Sequence, residues 1–205
     1  AQNNQPMIAD PLASIAAPAV GACTFGSRQV YDNDTLTLNP GVYCGGIEIK
    51  NNSVITFNPG LYVIKDGNFF IDSNSNASGT GLTFYLTGAG ATLHFTSNTI
   101  IAFSASATTA GGAIPGMLFF ENRTAALLQT HYFDSNSISK LEGAVYLSRG
   151  LLSSDSNNQI ASASAFTIVV ARRIQLKNNA HLVLNANYNA TTIPLLGGGG
   201  GGGSL

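Results

Sequence analysis

The ten carboxylates of this chain are its side chains best suited to acid–base chemistry. A polysaccharide-cleaving β-helix needs two carboxylates, or a carboxylate with Arg or Lys, converging on one face of adjacent coils. Asp32 and Asp34 form the best local pair, because alternate residues of an extended segment project to one side. Both lie at the start of the repeating region, and Asp66, Asp72 and Asp134 occupy turns that Asp fills for backbone reasons. We therefore expect no enzymatic activity and no catalytic residues.

The sequence contains no recognisable cofactor or metal motif. It has no nucleophile elbow, no phosphate-binding glycine loop and no zinc-binding helix, and its three histidines lie far from its two cysteines. The net charge is −1 at pH 7, and the basic residues nearest to a cluster are spread over three repeats. These are Lys140, Arg149, Arg172, Arg173 and Lys177. We expect no cofactor, no metal and no nucleic-acid partner.

Cys23 and Cys44 are the only cysteines and lie 21 residues apart. This separation is close to the length of one repeat, so neighbouring coils would bring the two side chains together. A disulfide there would close a loop of about 20 residues and stabilise the fold by about 3 kcal/mol. Two separate buried thiols are the alternative. The spacing favours the disulfide and, with it, an oxidising, extracellular compartment.

The element that must position these residues is a repeat of about 22 residues. Its clearest copy is residues 51–76, in which three β-type segments are separated by Asn, Gly, Pro or Ser turns. Asparagine suits such corners because it tolerates left-handed backbone and its amide can bond to an asparagine one coil away. Corners recur at Asn52, residues 74–76, Asn98, Asn136, Asn158 and Asn179. A second marker, Asn-Pro-Gly-x-Tyr, occurs at residues 39–43 and 58–62.

This repeat predicts an all-β fold: one right-handed parallel β-helix of about six coils with three short strands each. The hand follows from the general chirality of parallel crossovers. The β-helix domain is expected to span residues 21–190. An Asn-rich β-sandwich with ordinary hairpins is the alternative, and in it the asparagine corners would be scattered instead of aligned.

One interval between corners, from Asn98 to Asn136, is longer than the others, at about 38 residues. We attribute the excess to an insertion at residues 104–116, which is rich in Ala, Gly and Thr. Loops on rigid solenoids usually carry binding function, so we predict a partner-binding loop that projects from the shaft. Its candidate contact residues are Ser104, Ala105, Thr108, Thr109, Gly111 and Gly112. Glu121 and Arg123 are expected to form an exposed pair that adds little stability.

Both ends of the chain differ from the repeat. Residues 1–20 are expected to form a leader and a two-turn capping helix over the open end of the solenoid, since Asp10 and Pro11 suit its start and Pro18 its end. A disordered leader would have a similar sequence. Residues 191–205 include seven consecutive glycines and are expected to be a flexible tail. No apolar run is long enough to span a bilayer, so any membrane anchor is expected to be absent from this chain.

Several segments resemble the C-terminal region of Flp pilus-assembly TadE/G-like proteins. They are residues 10–13 with Pro18, Cys23, and residues 38–46, 57–64, 81–86, 116–120 and 141–147. The resemblance covers most of the chain, and its two-cysteine frame with paired Pro-Gly turns is its most specific part. It implies a bacterial envelope or surface protein associated with Tad-type tight-adherence pili, normally with an N-terminal membrane segment. It supplies no catalytic residues.

The expected function is therefore that of a non-enzymatic structural or adhesive protein of the cell surface, a component or accessory of a Flp/Tad-type pilus. Its partners would be other pilus or envelope proteins, or surface glycans, bound through the β-helix face and the loop. A secreted, carbohydrate-active β-helix that binds or cleaves polysaccharides is the alternative. A homo-oligomer or filament of this chain is a third prediction.

Overall fold

The structure, a computed structural model, describes residues 9–155, 157 and 159–196. These residues form a parallel β-solenoid of about seven turns, which confirms the predicted solenoid and its approximate number of coils. Strands that are distant in sequence pair in parallel register, as in the pairing of Gln29 with Ile47 and of Ile47 with Phe69. The antiparallel sandwich is therefore excluded. The right hand of the coil stays a prediction from crossover chirality.

Each coil has three sides, here called A, B and C. Side A contains β1 (Gln29–Asp32), β4 (Ile47–Lys50), β7 (Phe69–Ile71), β9 (Leu93–Phe95), β12 (Thr130–Phe133) and the ends of β13 (Ser137–Asp155) and β15 (Thr167–Lys177). Side B contains β2 (Thr35–Leu38), β5 (Val54–Phe57), the start of β8 (Asn76–Thr87), β10 (Ile100–Ala105), the start of β13, β14 (Gln159–Ile160) and β16 (His181–Leu182). Side C contains β3 (Gly41–Cys44), β6 (Gly60–Lys65), β11 (Met117–Glu121) and the remaining parts of β8, β13 and β15. Short 3-10 turns lie at Ala110–Gly112 and Tyr188–Ala190.

The core consists of side chains that take the same position in successive coils. At its centre Phe84 is fully buried, and its ring centroid lies between 5.0 and 5.4 Å from five other rings. These belong to Phe57, Tyr62, Phe69, Phe103 and Phe119. Each coil thus buries the apolar surface of the next, which no single coil could do alone.

The asparagine corners are aligned along the shaft, as predicted. Between sides A and B, Asn52 adopts a left-handed φ of 62°, and the Asn136 amide donates to Asn98, Nδ2 to Oδ1, across 2.6 Å. Asn179 lies in the corresponding turn of the last coil. Asn158 is outside the described residues. The corners therefore stack as side-chain ladders and do not act only as isolated turns.

The Asn-Pro-Gly-x-Tyr pattern also stacks from one coil to the next. The Asn58 amide donates to Asn39, Nδ2 to Oδ1, at 2.8 Å, and the buried Tyr62 hydroxyl donates to the Asn58 carbonyl of its own turn at 2.8 Å. Burial raises the pKa of Tyr62 well above its ordinary value. Gly60 has φ +140°, and a Cβ there would lie 2.4 Å from the proline ring of the previous coil. The pattern thus requires glycine so that successive corners can pack closely, and tyrosine so that its hydroxyl can donate to the carbonyl of the turn.

The predicted disulfide is confirmed. Cys23 and Cys44 are bonded, with their Cα atoms 5.8 Å apart. The backbone before the first coil already follows side C, since Thr24 N donates to Val42 O at 2.9 Å and Phe25 forms a parallel bridge with Tyr43. The bond joins this first segment to β3. A disulfide of this kind indicates an oxidising environment.

The predicted capping helix is wrong, because residues 10–15 form two overlapping turns, closed by Ala13 N to Asp10 O and by Ile15 N to Leu12 O. Asp10 caps the first turn as expected, accepting from Leu12 N through Oδ1 at 2.9 Å. The Arg123 guanidinium, however, donates to the carbonyl oxygens of Leu12 and Ile15 at 2.6 and 2.9 Å. In a helix these carbonyls would accept amide protons from the next turn. A distant side chain therefore binds the carbonyls that α-helical amides would use, and the only backbone donor to Leu12 O among the described residues is Ile15 N, at 3.0 Å, which closes a tight turn.

The N-terminal arm, residues 9–20, also lies in a different place from the predicted cap. Leu12 is 1% exposed and packs on the outer surface of side C, beside Phe120 and Tyr146. The Tyr146 hydroxyl donates to Asp10 Oδ2, and the Arg123 guanidinium lies 5.0 Å from the ring centroids of Phe120 and Tyr146. The arm thus runs along the shaft and does not cover its first coil.

The C-terminal segment turns back in a similar way. Ile193 packs against the main core, and the Pro194 carbonyl lies so close to Gly116 that a Cβ there would be 2.4 Å from it. Residues 191–196 of the predicted flexible tail are therefore packed against the solenoid. The seven glycines lie outside the described residues.

Candidate functional site

A groove with a volume of about 730 Å³ lies beside the predicted loop. One wall is the end of β10 and the residues after it, Ser104 to Thr108 with Ala110, and the other is residues 189–193 of the C-terminal segment. The floor is Lys140 and Glu142, which project from β13 one coil further along. Hydroxyl groups of Thr80, Thr108, Thr191 and Thr192 complete the lining. The groove is therefore built from three parts of the chain that are far apart in sequence.

The floor carries the charge of the groove. Lys140 Nζ lies 2.5 Å from Glu142 Oε2, and the Ser104 hydroxyl donates to the same oxygen at 3.1 Å. Glu142 is only 5% exposed, whereas the Lys140 side chain is 35% exposed. Of the two charged side chains, Lys140 is therefore the one more accessible to an incoming ligand. Alternate positions on β13 place both side chains on one face.

The predicted loop residues divide into two groups. Ser104 and Ala105 belong to β10 and are buried, although both reach the groove, and exposed Thr108 also lines it. Thr109, Gly111 and Gly112 are exposed on the other side of the loop. Three of the six predicted contact residues thus line the groove, and the other three do not.

The loop does not project from the shaft. A Cβ on Gly60 would lie 3.1 Å from the Gly111 carbonyl oxygen, so the 3-10 turn packs against the corner two coils earlier. The Ile114 amide donates to Thr83 Oγ1 at 2.9 Å, which fixes the end of the loop to side C. The extra length of this coil is also shared with a second long corner, residues 122–129. The insertion is therefore a packed wall, because its backbone bonds to neighbouring coils.

A second polar feature is a charged cluster on side A of the first two coils. Glu48 lies 3.1 Å from the Arg28 guanidinium and 3.6 Å from Lys50 Nζ. Lys50 also lies 3.7 Å from Asp32. Asp34 does not join Asp32 as a carboxylate pair, because its Oδ2 accepts from the Asp32 backbone amide at 2.9 Å. The structure thus brings the Asp32 carboxylate to Lys50 of the next coil and not to the Asp34 carboxylate.

The expected exposed pair of Glu121 and Arg123 is wrong. Glu121 is fully buried, and its Oε2 accepts from the backbone amides of Arg149 and Gly150 at 2.8 and 2.9 Å. Its Oε1 lies 3.1 Å from Nε2 of the buried His131. Because Leu93 N donates to His131 Nδ1 at 3.2 Å, Nε2 carries the imidazole proton and donates to Glu121. This network is closed to solvent and holds a long corner together.

The groove could not be found from local patterns. Its floor residues alternate on a strand, and this signal alone would have placed Lys140 and Glu142 on one face. Residues 189–193 carry no comparable signal, since their position depends on the C-terminal segment turning back.

Among the described residues, no group of three or more His, Cys, Asp or Glu side chains is arranged to hold a metal ion.

None of the helical segments in the described ranges has the length and apolar character needed to cross a bilayer. Comparisons with protein-family models, curated proteins and solved structures gave no match to this chain.

Proposed function

We propose that this protein is a non-enzymatic structural or adhesive protein of the bacterial cell surface, a component or accessory of a Flp/Tad-type pilus. The sequence resemblance to TadE/G-like proteins suggests the pilus, and the disulfide favours an exported chain. A solenoid with a continuous aromatic core provides the rigid shaft that such a role requires.

The observation that carries the proposal is the use of the acidic side chains. All ten carboxylates lie in the described residues, and each has a structural partner within the protein. The partnered acids are Asp10, Asp32, Asp34, Glu48, Asp66, Asp72, Glu121, Asp134, Glu142 and Asp155. Hydrolysis of a glycosidic bond would need two carboxylates free to exchange protons with substrate. Engagement of the acids at turns and between coils favours a structural role.

The groove is the proposed contact surface. It offers threonine hydroxyls, the Asn189 amide and one lysine, all suited to hydrogen bonding with a partner's backbone. None of the described residues that line it is aromatic. Aromatic side chains usually supply much of the lining of a small-molecule pocket. The composition of the groove therefore favours a protein segment over a sugar as its ligand.

Binding to isolated Flp/Tad-type pili tests this proposal. The purified chain is expected to co-sediment with pili from the bacterium that encodes it. Thr192→Lys narrows the groove from an exposed position and should weaken binding by about tenfold, since it adds bulk and a second positive charge. Thr109→Lys is the matched control: it introduces the same residue on the loop but outside the groove.

Two outcomes would count against the proposal. If the wild-type chain fails to co-sediment with pili, the pilus assignment is wrong. If Thr109→Lys and Thr192→Lys weaken binding equally, the groove is not the contact surface, even if the protein does bind pili.

The charged cluster supports a second candidate, a carbohydrate-active protein. Arg28, Glu48, Lys50 and Asp32 lie on the outer face of two adjacent coils, where a β-helix polysaccharide enzyme would place its catalytic acids and bases. A glycan array and a turnover assay on acidic and neutral polysaccharides test it. Turnover that is abolished by Asp32→Ala or Glu48→Gln would favour this candidate.

A further inference from the structure

The two ends of the solenoid expose strand edges. In the described part of the chain, β1 and β2 pair only with β4 and β5, and the second half of β15 pairs only with β13. Each terminal strand therefore presents backbone N–H and C=O groups on one side without a neighbouring strand. Such edges are templates for pairing with another chain.

At the C-terminal end, core-facing side chains are uncovered. Ile174 and Leu176 occupy the same columns as Leu152 and Ser154 of the preceding coil. Those two residues are 1% and 0% exposed, whereas Ile174 and Leu176 are 45% and 41% exposed. The difference arises because no further coil stacks on side A. Two apolar side chains that belong to the core are thus left facing solvent.

At the N-terminal end, the first residues of the same columns could pack against the exposed Ile174 and Leu176 of another copy. Gln29 and Tyr31 pair in register with Ile47 and Ile49, and Leu36 pairs with Ile55 on side B. Tyr31 and Leu36 are partly buried against the core from one side only. The first coil therefore offers a partly apolar surface of the same three-sided shape.

The two ends carry opposite charge. Arg172, Arg173 and Lys177 cluster at the C-terminal end and are exposed, and none of them forms an ion pair with any described residue. Asp32 and Asp34 lie at the N-terminal end, beside the free edges of β1 and β2. Opposite charge at two complementary edges favours contact between them and disfavours contact of either end with itself.

We propose that a second copy of this chain stacks head to tail on the first, with its β1 beside the second half of β15. Register continued along the columns places Tyr31 over Leu176 and Asp32 beside Lys177. The second contact repeats one within the molecule, where Asp32 and Lys50 of adjacent coils lie 3.7 Å apart. Because the contact joins two different surfaces, it leaves an end free at each step and extends into a filament.

The same register brings Arg173 of one copy near Arg28 of the next. Glu48 lies 3.1 Å from the Arg28 guanidinium, so this positive charge is already balanced on its own copy. The assembly does not depend on the pilus function proposed above, because it follows from the ends of the solenoid and not from the groove.

Sedimentation velocity of the full 205-residue chain tests the proposal. We expect open-ended association that grows over about a hundredfold range of concentration. Ile174→Lys blocks the C-terminal end and Leu36→Lys blocks the N-terminal end, so each variant alone should be monomeric. An equimolar mixture of the two should form dimers and nothing larger, since only one complementary pair of ends remains. Leu127→Lys, at a residue 54% exposed on a corner away from both ends, is the control and should assemble like the wild type.

A charge exchange tests the register without disturbing the core. Asp32→Lys and Lys177→Asp should each weaken association, and the double variant should restore it. A wild-type chain that stays monomeric throughout the range overturns the proposal. Dimers formed by Leu36→Lys alone would also overturn it, because they would show that like ends associate.

Discussion

The aromatic centre of the first coils and the corner around Glu121 are both fully buried, but they are built in opposite ways. Phe84 contacts rings above, below and beside it, and each contact repeats a position of the coil. Glu121 instead accepts hydrogen bonds from donors in two later parts of the chain. Where the repeat is regular, apolar columns fill the interior. Where extra residues lengthen a corner, a carboxylate satisfies backbone amides that no strand can pair.

His131 marks the boundary between the two regions. It stands in register in the inward column that contains Phe69, Leu93 and Leu152. A Cβ on Gly150 would lie 2.5 Å from His131 Nε2 and 3.0 Å from Glu121 Oε1, so glycine is required beside the pair. The polar corner is therefore as tightly packed as the aromatic centre, but its specificity comes from hydrogen bonds.

The largest effect is expected for Glu121→Ala. The substitution leaves the amides of Arg149 and Gly150 and the imidazole N–H of His131 without an acceptor in a buried site. We expect a loss of about 5 kcal/mol in the free energy of unfolding, measured by urea denaturation. Glu48→Ala removes an acid from surface ion pairs and should cost less than about 1 kcal/mol. Equal losses would show that the buried corner is not a stabilising unit.

Phe84→Ala should be the next most damaging. It opens a cavity among five rings and should cost about 4 kcal/mol, measured in the same denaturation series. Phe70→Ala is the matched control, because this ring lies on the outer surface of side A and, among the described rings, contacts only His94, edge-on at 4.9 Å. Its loss should be about 1 kcal/mol. A small effect of Phe84→Ala would mean that the rings repack around the gap.

His131→Leu distinguishes the two building principles most directly. If apolar columns alone set stability, leucine should be neutral or stabilising at this position. Because His131 bonds to both Leu93 N and Glu121, we expect instead a loss of about 2 kcal/mol: the buried Leu93 amide loses its acceptor, and the Glu121 carboxylate loses one of its donors. Thermal unfolding followed by circular dichroism shows whether the substitution raises or lowers stability. A higher melting temperature would contradict the hydrogen-bond account.

Asp10 provides the smallest effect and a surface reference for both buried regions. Burial raises its pKa, but hydrogen bonds from Tyr146 and Leu12 and the charge of Arg123 outweigh burial, so the net pKa lies below its ordinary value. The carboxylate therefore contributes stability above the unfolded pKa of about 4, and this contribution is lost as the pH falls through the lower folded pKa. Since Asp10 is partly exposed, the contribution should be below about 1 kcal/mol.

Limited proteolysis of the N-terminal arm at a series of pH values measures this effect. Wild-type cleavage within residues 9–20 should increase under acid, whereas Asp10→Asn should be cleaved readily at neutral pH and respond less to acid. An arm that is equally protected in both proteins at all pH values would show that Leu12 packing alone holds it.

The features that could be predicted from the sequence are those that depend on residues within one repeat or its immediate neighbour. Turns such as Asn58-Pro59-Gly60 and the spacing of Cys23 and Cys44 depend on neighbouring coils, so their patterns are visible in a short window. The three-sided solenoid and its asparagine ladders followed from them.

What could not be predicted depends on distant partners. Asp10 and Pro11 form a sound helix start, yet Arg123, more than a hundred residues away, binds the carbonyls that the helix would use. From the local sequence Glu121 is expected to be a surface acid, and only its contact with the distant amide of Gly150 accounts for its burial. Thr108 was predicted as a contact residue of a loop, but the groove that it lines has a second wall, residues 189–193, which arises only because the end of the chain turns back.

The N-terminal arm has a mechanical consequence. It is tied through Cys23 to the first complete coil and, more than ten residues earlier, through Asp10 to Tyr146 four coils further on. Repeat proteins normally lose terminal units one at a time, since each unit contacts only its neighbours. Here the first coil cannot separate from the shaft without breaking contacts of the arm with the fifth coil. The arm therefore links five of about seven coils, so these coils are expected to unfold together instead of one at a time.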